Sequence, residues 1–579
     1  MAAGIKFSKN PLLSQMLPAW RSRLLLLLLL GGFLGLGARS LYLQGVNEEF
    51  LQQKGESRYS RTIELPATRG RITDRNGEML ALSTPVQSVW AIPEDAQLAP
   101  GQVRQLAALL EIDVRELNRR LATASDFVFL KRQIAPDMAT SVAALKLPGI
   151  YQQREYRRYY PTAEVTAHLL GFTSVDNRGQ EGVELAFEEM LAGRPGSRRV
   201  IKDRRGQIVE DSESIKAPQV GRDIALAVDS KIQYLAYTHL RQALLEHRAK
   251  AGGVVVLDAK SGEVLAIANL PAYNPNNRGK FSSAQLRNRA LTDTFEPGST
   301  MKPLTIALAL EKGRFQPDTQ IQTAPGRLTI GNAVISDAHP HGLLSVAQVI
   351  QKSSNVGAAK IAASLAPEEM WQMFDALGFG TAPRLGFPGA ASGRLRPYHT
   401  WKPIEQATMS YGHGISVSLM QLARAYLVFA RDGDLVPLSL ERTASSHIPG
   451  QALFTPATAQ AVRAMLEMAV QAGGTAPQAQ IPGYRVAGKT GTAHKVENGA
   501  YAERYVASFV GFAPASDPRL IVAVMIDEPG AGKYYGGEVA APVFAQVMAG
   551  ALRTLDIAPD LPLRPVQVAR EHPTVQENM

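Results

Sequence analysis

The sequence predicts a membrane-anchored chain whose larger folded part is an α+β domain with a sheet that joins early and late strands. Three observations predict it. One apolar run lies near the N-terminus, the texture changes near Pro218-Gln-Val-Gly221, and strand-like segments stand at both ends of the remaining chain with helical ones between. At 579 residues the chain is too long for one ordinary domain. A hydrophobic share of 45% fits core-forming globular protein rather than a polytopic or disordered chain.

Leu24 to Ala38 is unbroken apolar sequence with seven consecutive leucines, and continuing to Leu43 gives about 20 residues, the span of a bilayer core. Lys6, Lys9, Arg21 and Arg23 precede it and no acidic residue occurs before Glu48. The charge asymmetry predicts a cytoplasmic N-terminus and an exported remainder. A cleaved signal peptide is the competing reading, with Gly35-Leu36-Gly37 as its small-x-small site, but more than 20 residues before the apolar run are long for a signal n-region.

From residue 45 to about 215 the chain is rich in charge and turns, including Asn76-Gly77, a hairpin signal. No nucleophile–base arrangement occurs there, so a structural or docking module is expected. Beyond it, Asp223 to Val228 reads as a strand and Ser230 to Glu246 as an amphipathic helix. Gly253 to Leu257 and Glu263 to Ala268 read as a hairpin, Ala507 to Phe512 and Leu520 to Ile526 as paired strands, and Pro542 to Leu552 as a helix. The polar, proline-bearing tail beyond Pro559 is expected to be disordered.

Composition excludes several function classes. Without cysteine there are no disulfides, thiolate metal sites or cysteine nucleophiles. The net charge of +10 is scattered among nearly as many acids, with no basic block, zinc motif or RNA-binding signature, so nucleic acid is not an expected partner. The ten histidines are isolated, and His339 and His341 read as loop residues, so no metal site is expected.

Three short motifs carry chemistry. Phe295-Glu-Pro-Gly-Ser299-Thr-Met-Lys302-Pro303 breaks the chain before Ser299 and opens a helix on which Ser299 and Lys302, three apart, share a face. A buried lysine with a depressed pKa can take the proton of a serine hydroxyl. Taken singly, Ser-x-x-Lys is expected about once by chance in such a length. Ser353-Ser354-Asn355 offers a hydroxyl and an amide, or merely a helix cap. Lys489-Thr490-Gly491-Thr492 reads as an edge strand, where glycine admits a substrate backbone and the threonines and lysine suit a carboxylate. A lysine guarding an edge against aggregation is the alternative for it alone.

In this order the three motifs resemble the signature of penicillin-binding proteins and serine β-lactamases. The chain is similar, from the anchor to about residue 555, to class B penicillin-binding proteins of the division-specific (FtsI-like) D,D-transpeptidase kind. Arg69 to Gly77, Arg158-Tyr-Tyr-Pro161, Gly179 to Glu184, Tyr411-Gly-His-Gly414 and Ser508 to Phe512 carry the likeness further. The resemblance implies a transpeptidase domain, an antiparallel sheet with helices on both faces, preceded by an elongated N-terminal pedestal and one transmembrane helix. The expected boundaries are a cytoplasmic tail 1–22, an anchor 23–43, a pedestal or dimerisation-like domain 44–217, the transpeptidase domain 218–557 and a tail 558–579.

It also implies roles. Ser299 attacks the penultimate D-alanine of a stem pentapeptide, and Lys302 is the base. Ser353 and Lys489 relay a proton to the leaving amine, Asn355 and Lys302 hold the hydroxyl network, and the N–H groups of Ser299 and Thr492 form the oxyanion hole. Thr490 and Thr492 bind the donor carboxylate beside Gly491, with Tyr505, Tyr534 and Tyr535 as an aromatic wall or, alternatively, as sheet packing. His494 stands where the subfamily often has arginine. An amine of a neighbouring stem peptide resolves the acyl-enzyme, and β-lactam antibiotics trap Ser299. No cofactor or metal is implied, and the expected partners are a SEDS-class glycan polymerase and other division proteins at the bacterial inner membrane.

Rival readings stay open from sequence. A β-lactamase or β-lactam sensor shares the motifs but needs no spacer of about 170 residues, and a bifunctional enzyme needs a glycosyltransferase signature that is missing. A vestigial scaffold would not keep Ser299, Lys302 and Lys489. Within class B, Ser353-Ser-Asn-Val-Gly357 and the compact N-terminal region favour division over elongation.

Overall fold

The computed structural model describes residues 19–43, 60–125, 127–202, 208–277, 279, 281–443, 448–497 and 500–562. The expected cytoplasmic tail up to residue 18 and the expected disordered tail beyond 562 lie outside them. The chain divides into two compact units, Met1–Pro66 with Pro195–Gln219, and Ala67–Arg194 with Val220–Met579.

The first unit holds the helix Ala19–Leu41, whose leucines are exposed and which is long and apolar enough to cross a membrane. Its 23 residues rise about 34 Å. The same unit contains a three-stranded antiparallel sheet in the order Ser60–Leu65, Gly196–Lys202, Ile208–Lys216.

In the second unit, the head before residue 195 is built on Met79–Ala91, which pairs antiparallel with both Val128–Ile134 and Ile150–Tyr159. Three helices, Pro100–Leu110, Val114–Leu121 and Pro136–Ala144, close over a core that includes Val89, Leu106, Leu117 and Leu130. Asn76-Gly77 turns the chain between Ile72–Thr73 and Met79–Ala91, with Gly77 at φ 88°, a conformation that glycine adopts without a Cβ penalty. Deeper in, Glu184 receives Arg69 Nε at 2.5 Å on one oxygen and Arg158 Nε at 2.6 Å on the other. All three side chains are fully buried.

The main sheet is antiparallel in the order Val264–Leu270, Ala251–Asp258, Leu520–Asp527, Ala500–Ala513, Ala487–Glu497. It therefore joins early and late strands, as the patterning predicts. Both faces are covered, which is why its strands are continuous apolar runs rather than alternating ones. Val254 and Val256 pack with residues of helices Ser230–Glu246 and Ala541–Thr554, whereas Val255 and Leu257 belong to the core on the opposite face. Asp229 starts Ser230–Glu246 by accepting from the N–H groups of Lys231 and Ile232. On the opposite face, helix Lys302–Glu311 is buried on every side over its first eight residues, so its position is fixed by packing all round.

Candidate active site

The three sequence motifs meet at one edge of this sheet. Gly298 at φ +58° turns the chain into a short 3-10 segment, Gly298–Met301, which continues as helix Lys302–Glu311 with Pro303 in its first turn. Ser299 is partly exposed while its neighbours Gly298 and Thr300 are buried. The helical spacing brings Lys302 Nζ to 2.9 Å from Ser299 Oγ.

Ser353 ends helix Val346–Lys352 in the left-handed region at φ +60°, and Ser354 starts helix Asn355–Ala362, its Oγ accepting from Gly357 N–H. A non-glycine residue in that conformation costs about 1 kcal/mol, so something must hold it. Asp337 does: it accepts from Ser354 Oγ at 2.7 Å and from the N–H groups of Asn355 and Val356 at 2.5 and 2.9 Å. The kink turns the Ser353 carbonyl, its Oγ and Asn355 Oδ1 toward Lys302 Nζ, at 2.5, 3.1 and 2.8 Å. Asn355 Nδ2 donates to Ser336 O at 2.9 Å, which sets the amide's orientation.

Lys489, Thr490, Gly491 and Thr492 lie on the edge strand Ala487–Glu497. Lys489 Nζ donates to Ser353 Oγ at 3.0 Å, so this hydroxyl bridges the two lysines. Gly491 is required by proximity: a Cβ there would sit 2.4 Å from Ser508 Oγ and 2.7 Å from the Pro297 carbonyl oxygen, which would push the strand off the serine turn. The Thr490 hydroxyl lies 3.0 Å from that of Thr475. Thr492 Oγ1 accepts from Gly536 N–H at 3.0 Å, which leaves its own O–H to donate.

The electrostatics follow from burial. Lys302 and Lys489 are both fully buried. Burial holds the Lys302 amine well below the ordinary lysine range, the neighbouring charge of Lys489 lowers it further, and Asp337 pulls the other way. Burial alone pushes Lys489 down to about 7. A neutral Lys302 amine has two N–H groups, and two of its neighbours, the Ser353 carbonyl and Asn355 Oδ1, can only accept. Those two consume its donors and leave the lone pair for a hydroxyl proton, with Ser299 Oγ in reach. The arrangement can thus deprotonate Ser299 and pass a proton along Ser353 to Lys489.

The structure stacks Tyr505 on Tyr534 at 4.2 Å and 16°, sets Tyr535 4.6 Å from Tyr534, and brings His494 to 4.5 Å from Tyr505. The rings pack on one another, and Tyr535 is half-exposed. Among the described residues no group of three or more His, Cys, Asp or Glu could hold a metal. Sequence reasoning did not single out Asp337, a lone acid in a loop 16 residues before Ser353, or Thr475, and no local spacing marks either.

Comparison with known proteins matches two family models, the penicillin-binding protein transpeptidase domain over residues 252–549 and the penicillin-binding protein dimerisation domain over 64–226. A relative in Neisseria gonorrhoeae, the probable peptidoglycan D,D-transpeptidase PenA, is 47% identical over 532 residues, 91% of each chain. The peptidoglycan D,D-transpeptidase FtsI of Escherichia coli K12 is 41% identical over 553 residues, 94% of this chain and 93% of that one. Among solved structures, the TP domain of Burkholderia pseudomallei penicillin-binding protein 3 superposes with a TM-score of 0.54 at 50% identity, over 58% of this chain and 98% of that one.

Proposed function

We propose a septal role and a residue-level mechanism for this chain, which belongs to the class B penicillin-binding proteins, serine D-Ala-D-Ala transpeptidases of peptidoglycan that bind stem peptides and β-lactams. The observation that carries the mechanism is the Lys302 amine, fully buried, with both donors occupied by obligate acceptors and Ser299 Oγ at 2.9 Å. Ser299 gives its proton to Lys302 and attacks the penultimate D-alanine carbonyl. The N–H groups of Ser299 and Thr492 take the developing oxyanion. Ser353 and Lys489 return the proton to the leaving D-alanine, and Asn355 keeps Lys302 in place. Thr490 and Thr492, on either side of Gly491, hold the donor carboxylate, with Tyr505, Tyr534 and Tyr535 as the wall of its cleft. An amine from a second stem peptide then resolves the acyl-enzyme.

The helix Ala19–Leu41 fits a single-pass inner-membrane protein. The catalytic domain faces the periplasm, which the basic residues ahead of the apolar run support. There it works at the septum with a SEDS-class polymerase and other division proteins, a role supported by the likeness to FtsI.

A fluorescent penicillin that does not cross the bilayer tests these statements together. A stable one-to-one adduct on the detergent-solubilised chain, read by intact mass and absent from Ser299→Ala, is expected, with label at midcell in whole cells. Rapid turnover without an adduct would point to a hydrolase, no reaction to a scaffold, and label along the side wall to elongation.

A further inference from the structure

Thr490 and Thr492 stand two apart on the edge strand Ala487–Glu497, so their side chains share one face. Each hydroxyl has one proton to give and lone pairs with which to accept. Thr492 Oγ1 accepts from Gly536 N–H at 3.0 Å, which leaves its own proton for the cleft. Among the described residues no backbone N–H supports Thr490 in the same way. Its Oγ1 lies 3.0 Å from Thr475 Oγ1 and 3.3 Å from Lys489 Nζ. The longer of these contacts joins neighbours on one strand, whereas Thr475 reaches Thr490 from a separate loop.

That loop follows helix Pro456–Val470 and is fixed on several sides. Ala476 N–H donates back to Ala469 O at 3.0 Å and Gly474 N–H to Gln471 O at 2.9 Å, with Gly473 at φ +83°, which folds the chain over the helix end. Lys352, the residue before Ser353, donates from Nζ to Gly473 O at 2.9 Å. The segment Gly536–Val539 presses on the loop from another side. A Cβ on Gly537 would collide with the Thr475 carbonyl oxygen, and Gly536 is the residue that donates to Thr492. Beneath the loop, Val349 and Ile350 of helix Val346–Lys352 and Leu466 and Ala469 of helix Pro456–Val470 belong to one core. Thr475 is therefore braced between the strand of Thr490, the helix that leads to Ser353 and the turn that supports Thr492. Its hydroxyl has no partner besides Thr490 among the described residues.

We propose that Thr475 is a positioning residue for the donor carboxylate: its hydroxyl donates to Thr490 Oγ1 and so keeps the Thr490 proton directed at the carboxylate, as Gly536 N–H does for Thr492. This rests on the transpeptidase reading above, in which Thr490 and Thr492 hold that carboxylate. The opposite direction of the pair would turn the Thr490 proton toward Thr475 and leave Thr492 alone to donate. A bound carboxylate accepts from both threonines, and its charge favours the direction in which both protons face it. Thr475 acts through Thr490, so its effect is confined to ligands that carry a carboxylate and vanishes when Thr490 has no hydroxyl.

The test measures acylation of the full chain in detergent by a labelled acyl-D-alanyl thioester of thioglycolic acid and by its methyl ester, which lacks the free carboxylate. The ratio of the two acylation efficiencies is internal to each preparation, so partial unfolding of a variant does not move it. Thr475→Val, close in shape but without the hydroxyl, is expected to lower the acid-to-ester ratio about fivefold, the weight of one hydrogen bond. Thr475→Ala is expected to lower it as far, and Thr475→Ser to restore it. Thr490→Val is expected to lower the ratio further, and adding Thr475→Val to it to change nothing more, because the two hydroxyls act as one unit. An unchanged ratio in Thr475→Val and Thr475→Ala, or a further loss in the double variant, would overturn the assignment. A wild-type chain that acylates with acid and ester alike would instead sink Thr490 and Thr492 as carboxylate holders. One that forms no acyl-enzyme would sink the transpeptidase reading, and the assignment falls with either.

Discussion

Two clusters of buried basic groups sit in the same compact unit and are handled in opposite ways. In the head, Arg69 and Arg158 close on the two oxygens of Glu184, and Arg69 also meets Glu188 at 2.6 Å. In the cleft, Lys302 and Lys489 face hydroxyls, carbonyls and an amide, and neither has a carboxylate within 4.0 Å among the described residues. Arginine cannot shed its proton, so a buried arginine must be given an anion; lysine can, so a buried lysine without an anion becomes a base. A closed charge cluster holds a structure together, and an open one is available for chemistry.

That contrast can be broken by experiment. Lys302→Met is expected to slow penicillin acylation by about a thousandfold, the scale of a lost general base. It is also expected to raise the unfolding temperature. Between a buried lysine's lowered pKa and its ordinary one the unfolded chain binds the extra proton, so stability rises with pH across that window and a penalty persists below it. For Lys489 the window runs from about 7 to about 10.4. Methionine removes the penalty at Lys302, and a variant less stable than wild type would contradict the comparison.

Glu184→Ala works the other way. It leaves the buried Arg158 guanidinium without its anion and Arg69 with Glu188 alone, and is expected to cost about 3–5 kcal/mol in denaturant unfolding. The fraction that remains folded at low temperature is expected to acylate at nearly the wild-type rate. A loss below about 1 kcal/mol would mean that the head cluster is not what holds this region.

The smallest effect concerns pH. The charge of Lys489 lowers Lys302, so in Lys489→Gln the Lys302 pKa is expected to rise. Acylation needs Lys302 neutral, and the ascending limb of its pH profile should therefore move to higher pH. Because burial is the larger cause and remains, the shift is modest, and a shift to lower pH would refute the coupling.

The parts of this molecule that are local in sequence were legible in it. Ser299 and Lys302 meet because three residues of helix put them on one face, and the strands around Val254 and Val522 announce themselves as apolar runs. The helix Ser230–Glu246 follows from the helical spacing of its apolar residues. Contacts made across long stretches of chain were not legible. Glu184 joins Arg69 across 115 residues, Glu296 meets Tyr501 across 205, and Asp337 supports Ser354 from a loop without periodicity. Residues 67–194 pack with 220–579 although the segment 195–219 between them belongs to the other unit.

By itself, the sequence determined the apolar helix, the strand and helix periods, and the residue types that can act as nucleophile, base and carboxylate holder. Those properties depend on side chains within a few positions of one another. Only the tertiary structure decided which lysines lose contact with water and with anions, and which arginines are neutralised. The pKa of a group is set by everything that surrounds it in space, and burial brings together residues that the chain keeps far apart.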